Sequence, residues 1–134
     1  MKYFTPSWFE NGCLPVPEYE ERFKAICKKL PDAIDEHFSL HDARIIRIQY
    51  IEKGYGRDDA VLFLDTKHSY TQARRIVFTD AKLRIEGAIE NTWWIAEEIN
   101  AAEEGYRMDV MTIHGEAGKY SFLTIEFKDM LIKS

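Results

Sequence analysis

The stretch Phe38-Ser39-Leu40-His41-Asp42-Ala43-Arg44-Ile45-Ile46-Arg47-Ile48 divides the chain. Before it, apolar residues recur at helical spacing. After it, Ile46, Ile48 and Tyr50 alternate with Arg47 and Gln49, and the period of two persists downstream. Working back toward the N-terminus, Thr5-Pro6 starts a helix that Gly12 stops, so Ser7–Asn11 makes one or two turns. Trp8 and Phe9 are large for so short a piece and dock it onto the body of the domain. Beyond Pro15-Val16-Pro17, Glu18–Leu30 reads as a longer helix with the apolar stripe Tyr19, Phe23, Ile26 and Leu30. Pro31 ends it, and Asp32 caps a further short turn, Ala33–His37.

Working forward, the pattern predicts strands over Ala43–Glu52, Ala60–Asp65 and Arg74–Thr79. A kink at Asp80 follows, with a continuation over Ala81–Glu86. Thr92–Ile99 is ambiguous by propensity: Trp93, Trp94 and Ile95 favour strand, Glu97, Glu98, Ala101 and Ala102 favour helix. An ungapped shift of 49 residues decides for strand. It lays Ile46 on Ile95, Gly56 on Gly105, Ile76 on Ile125, Phe78 on Phe127 and Asp80 on Asp129. Leu62 falls on Met111, Leu64 on Ile113 and Leu83 on Ile132. The chain therefore reads as two duplicated three-strand meanders. The second comprises Thr92–Ile99, Tyr106–Ile113 and Tyr120–Ile132, with Ala102-Glu103-Glu104-Gly105 and His114–Lys119 as its hairpin loops.

The expected fold is α+β in one domain over residues 1–134: a helical segment over 1–38, a first β-meander over 43–86 and a second over 92–132. Short helices pack on about six antiparallel strands, forming a sandwich or flattened barrel, or else one continuous sheet with the helices on one face.

Composition narrows the function. The 134 residues carry 18 Lys and Arg against 23 Asp and Glu, a net charge of −5. Without a basic stripe the chain is a poor partner for nucleic acid. Asp58-Asp59, Glu97-Glu98 and Glu103-Glu104 read as solvated faces or, more sharply, as contacts for a cationic partner. The longest apolar runs are too short to span a bilayer, and the opening lacks the apolar core of a secretion signal. A cytoplasmic protein with no membrane association is expected. Cys13 and Cys27 lack CxxC spacing and read as free thiols.

One cluster could carry chemistry. His37, His41 and Asp42 suit a metal or acid/base site, with His68 or His114 as a distant third ligand. The structural alternative has His41 and Asp42 bonding backbone where the chain turns into the sheet. Asp80 and Asp129 are read as relatives of Asp42 at strand bends, with Thr79 and Lys128 in the place of His41. Trp93 and Trp94 must point to opposite faces of a strand. The outer one lies either under the N-terminal segment, the reading preferred, or exposed; if exposed it is, with Tyr55, Tyr70 and Tyr106 near loops, a candidate partner contact. No phosphate loop, nucleophile elbow or zinc motif is present, and no cofactor or metal is expected.

Met1-Lys2-Tyr3-Phe4-Thr5, with Trp8 and Phe9 close behind, and the Leu40-His41-Asp42 lead-in to a strand-rich half resemble a family of uncharacterised bacterial proteins. The resemblance implies short helices before strands and carries no activity. Size, acidity and strand content are also similar to small toxin-immunity proteins, by architecture alone. The function expected is a non-enzymatic protein-binding module. The alternatives are an enzyme centred on His37, His41 and Asp42, and a small-ligand domain.

Overall fold

The computed structural model describes residues 1–28, 40–69, 73–115 and 118–133. Among these residues two helices, α1 (Pro6–Glu10) and α2 (Pro17–Cys27), precede eight strands. These are β1 (Arg44–Ile51), β2 (Asp59–Asp65), β3 (Arg75–Thr79), β4 (Lys82–Glu86), β5 (Thr92–Ala102), β6 (Gly105–His114), β7 (Lys119–Phe127) and β8 (Asp129–Lys133). Thr5 caps α1, its hydroxyl accepting from the Trp8 N–H at 3.2 Å. Pro17 opens α2, as its missing N–H and fixed φ allow. The expected Leu30 end of α2, the turn Ala33–His37 and Tyr70 lie outside the described residues.

All strands join one antiparallel sheet in the order β4-β7-β6-β5-β1-β2-β3-β8. The sheet has eight strands and is open, rather than six in a sandwich or closed barrel. The reason lies at the two bends. Asp80 takes φ 50°, and there the chain leaves β2 and β8 and continues as β4 alongside β7. At Lys128 it leaves β6 and β4 and continues as β8 alongside β3. Each half thus sends its fourth strand to the edge of the other, and the sheet ends on β4 and β8.

The strand order reads the same when the first four strands are exchanged with the last four. The finer pairing follows suit. Ala43 N–H bonds Leu40 O at 2.8 Å, and Thr92 N–H bonds Ile89 O at 3.2 Å. Asp42 N–H bonds Trp94 O at 3.1 Å, and Asn91 N–H bonds Ile45 O at 2.7 Å. Both first strands carry a bulge, between Ile45 and Arg47 and between Trp94 and Ala96.

The equivalences differ from the ungapped shift further on. Leu62 pairs with Ile76 where Val110 pairs with Leu123, so the shift is one residue shorter in the second strand and two shorter in the third. By pairing, Asp42 therefore corresponds to Asn91, not to Asp80 or Asp129, and Glu90 stands in the place of His41.

The main core gathers the inner faces of both halves, including Ile45, Leu62, Ile76 and Phe78 from one and Trp94, Met108, Leu123, Ile125 and Phe127 from the other. Phe23, Ile26 and Cys27 of α2 pack against it. Only Arg44 and Ile45 of β1 pair with β5. Side chains meet the β5 backbone beyond that point: the Tyr19 hydroxyl accepts from Ile99 N–H at 2.9 Å. Among the described residues no helix is long and apolar enough to cross a membrane.

Candidate functional site

The turn Leu40–Ala43 brings the chain into the sheet. Leu40 and Ala43 are buried, and Asp42 adopts φ 70°, which a short polar side chain tolerates better than most. A ring nitrogen of His41, Nδ1, lies 2.8 Å from Ile95 O. A carbonyl only accepts, so Nδ1 carries the proton. Nε2 lies 3.5 Å from Asp42 Oδ1, both groups being half-exposed. Ser69 Oγ donates to His41 O at 3.0 Å. His41 and Asp42 thus hold the corner together through backbone contacts. His37 lies outside the described residues. His68 packs against Trp93, ring centroids 6.4 Å apart, and His114 ends β6. Among the described residues no three His, Cys, Asp or Glu side chains converge as metal ligands.

The corner holds a group the sequence does not announce. Glu97 accepts from the Trp94 indole N–H at 3.1 Å. Burial raises its carboxyl to about 7, outweighing the Trp94 bond, the nearby His41 and the Leu40 backbone N–H, which all favour the charged form. The expected solvated face Glu97-Glu98 is therefore wrong for both residues: Glu97 is half-buried and Glu98 is 1% exposed. The reason is that both faces of β5 are covered, one by the main core and one by the N-terminal segment, so adjacent side chains pointing to opposite faces both leave solvent.

Glu97 has a testable consequence. Its folded-state value stands above the ordinary 4.5, so the folded protein binds this proton more tightly than the unfolded chain does. Stability from this group is complete below pH 4.5 and is lost as pH rises through 7. In Glu97→Gln that loss, about 3 kcal/mol, disappears. Urea unfolding of both proteins between pH 4 and 8 reads the difference, and parallel pH profiles would refute it.

A second feature distinguishes the two outer faces. On β5–β6–β7, Ile95, Ala96 and Met111 are buried under Phe4, Trp8 and Phe9. Glu98 anchors this cover. Its carboxylate accepts the backbone N–H groups of Lys2, at 2.9 Å, Phe4, at 2.8 Å, and Tyr3. Alongside, Asp109 is gripped by both Arg107 nitrogens at 3.2 Å and by Thr124 Oγ1 at 2.8 Å. A groove of about 280 Å³ runs between this network and Met1, Thr5 and Pro6.

The matching face of β1–β2–β3–β8 differs. Phe63, Val77 and Leu131 belong to neither buried cluster, and Leu131 is 53% exposed. Arg47, Arg75 and Lys133 lie in one cross-strand row with Phe63, Arg47 stacking on its ring at 4.2 Å. None of the three forms an ion pair among the described residues.

Of the aromatic contacts expected from sequence, Trp94 fills the core and Trp93 points outward, 38% exposed, against His68. Tyr55 is exposed on its loop. Tyr106 is half-buried beside Phe127, 5.9 Å between ring centroids. These four residues do not converge on one surface: Trp93 starts β5, Tyr106 lies at the far end of that hairpin, and Tyr55 sits between β1 and β2.

The family profile described as "Protein of unknown function (DUF4085)" matches residues 16–116. The chain belongs to the DUF4085 family. No curated protein and no solved structure matches it. The part of the chain shared with DUF4085 runs from the start of α2 through β6, and so contains the Leu40–Ala43 corner, Glu97 and Glu98.

Proposed function

We propose that this protein is a non-enzymatic binding module of the cytoplasm, built from two copies of one strand unit, and that its partner is a protein seated on the outer face of β1–β2–β3–β8. One observation carries this reading. Two halves with matching pairing present two outer faces; the chain's own N-terminal segment covers one, and the other carries half-exposed Phe63 and Val77 and an exposed Leu131. The cation row beside them suits an acidic partner surface and discriminates against basic ones. Cys13 and Cys27, neither in a disulfide, suit a reducing compartment. His41 and Asp42 keep the role of corner residues.

The test compares tagged wild type with Leu131→Asp in quantitative pull-downs from native lysate. The expected result is a specific protein whose recovery falls about tenfold with the variant. Equal recovery by both proteins, or no enriched protein with wild type, would count against the proposal.

A further inference from the structure

We infer that the outer face of β1–β2–β3–β8, which has no cover among the described residues, receives an extended acidic segment of the partner, with apolar residues alternating between its carboxylates. This rests on the binding-module reading and specifies its ligand. The covered half supplies the template. There one cross-strand row runs Glu98–Asp109–Thr124–Arg84, and its neighbour runs Ala96–Met111–Phe122–Glu86. The first row holds the backbone of Lys2, Tyr3 and Phe4 through Glu98. The second, through Ala96, Met111 and Phe122, lies in the cluster that Phe4, Trp8 and Phe9 complete.

On the bare half the corresponding rows are Gln49–Val61–Val77–Leu131 and Arg47–Phe63–Arg75–Lys133. Gln49 stands where Glu98 stands. Its carboxamide accepts a backbone N–H through Oε1 and donates to a carbonyl through Nε2, so it can hold a passing chain without adding charge. The other positions exchange character. The row beside Gln49 becomes apolar, and the apolar row of the covered half gains three cations.

An extended chain running between the two rows sends alternate side chains to opposite sides. Its apolar side chains meet half-exposed Val77 and exposed Leu131, beside Val61, which is itself buried in the sheet. Its carboxylates meet Arg47, Arg75 and Lys133, where guanidinium groups bind carboxylate in a fork. Phe63, held beneath Arg47, keeps that guanidinium over the face. A nucleic acid fits less well, because the chain carries a net charge of −5 and the cation row borders an apolar one.

The probes are a fluorescein-labelled alternating Glu-Leu peptide, its Lys-Leu counterpart and oligothymidylate, titrated into the full chain and followed by fluorescence anisotropy. The expected result is binding of the Glu-Leu peptide alone, weakened by added salt and reduced about tenfold by Arg75→Glu and by Leu131→Asp. Both variants should keep the wild-type melting temperature, as exposed positions do.

Equal binding of both peptides, binding of oligothymidylate, indifference to Arg75→Glu, or no Glu-Leu binding at millimolar concentration would each overturn the inference. A melting temperature that falls sharply in Leu131→Asp would show that the chain covers this face itself, overturning both readings. A pulled-down partner lost with Leu131→Asp but kept with Arg75→Glu would leave the binding module standing and remove the acidic segment.

Discussion

Replacing Glu98 by Ala is expected to lower stability by about 3 kcal/mol and to release the N-terminal segment from the sheet. The carboxylate is buried and accepts three backbone N–H groups from consecutive residues. Hydrogen bonds to a charged group contribute about 1.5–3 kcal/mol each, offset by the cost of holding the charge away from water. The loss extends beyond these bonds, because they fix the chain that carries Phe4, Trp8 and Phe9 over Ile95, Ala96 and Met111. Urea unfolding measures the change, and amide hydrogen exchange at Lys2, Tyr3 and Phe4 shows where it arises. A loss under about 1 kcal/mol with unchanged exchange would mean that the aromatic contacts alone hold the segment. Glu98→Gln keeps the shape but turns an amide donor toward backbone donors, and should recover little of the loss.

Gly105→Ala should cost about 4 kcal/mol, the largest effect expected of so small a change. Gly105 closes the two-residue hairpin between β5 and β6, pairing with Ala102, and takes φ +134°. A Cβ there would stand 2.3 Å from Phe127 O and 3.1 Å from Lys128 Cα. Both are backbone atoms at the bend where β7 becomes β8, so neither side can yield cheaply. Gly56→Ala is the control: φ is +65° and no atom lies within 4 Å of the added carbon. It should cost about 1 kcal/mol, the left-handed backbone penalty alone. Thermal unfolding of the two variants side by side decides the matter, and similar losses in both would remove the role given to the Phe127 contact.

Much of the fold is legible in the sequence. The helix starts at Thr5-Pro6 and just past the Pro15–Pro17 break, and most strand segments, follow from caps, prolines and alternation; Thr92–Ile99 needed the internal match, and Tyr120–Ile132 reads as one strand where the structure has β7 and β8. Trp93 and Trp94 take opposite faces because a strand requires it. The count and closure of strands were not legible. Asp80 reads as a kink in one strand, but a kink does not say that the chain changes partners there; that depends on β7, some forty residues on. The site is less legible than the fold. His41 and Asp42 attract notice by type, and the structure places them at the corner, where His41 meets Ile95 O and Asp42 takes a positive φ. Glu97 and Glu98 look like a solvated pair and prove to be the two most consequential acids, one beneath the corner and one under the N-terminal segment. Sequence hides them because adjacent acids suggest an exposed edge, whereas β5 lies between the main core and the N-terminal segment and both its faces are covered. The outer face of β1–β2–β3–β8 was hard to read too: Val61, Phe63 and Val77 look like the covered side of a central strand, yet only Val61 is buried while Phe63 and Val77 stay half-exposed.

The exchange of fourth strands between the halves also orders events in time. When β4 leaves the ribosome its only ladder partner, β7, does not yet exist, and β3 has one open side until β8 is made. The first half must therefore wait with three strand edges unpaired, those of β1, β3 and β4, while the second is synthesised. The exchange then completes both halves together, since β7 receives β4 as β8 reaches β3. Neither half has a finished state to reach alone. A nascent chain of this kind gains its full stability in one late step, and a break between Gly87 and Asn91 would yield fragments that fold only in each other's company.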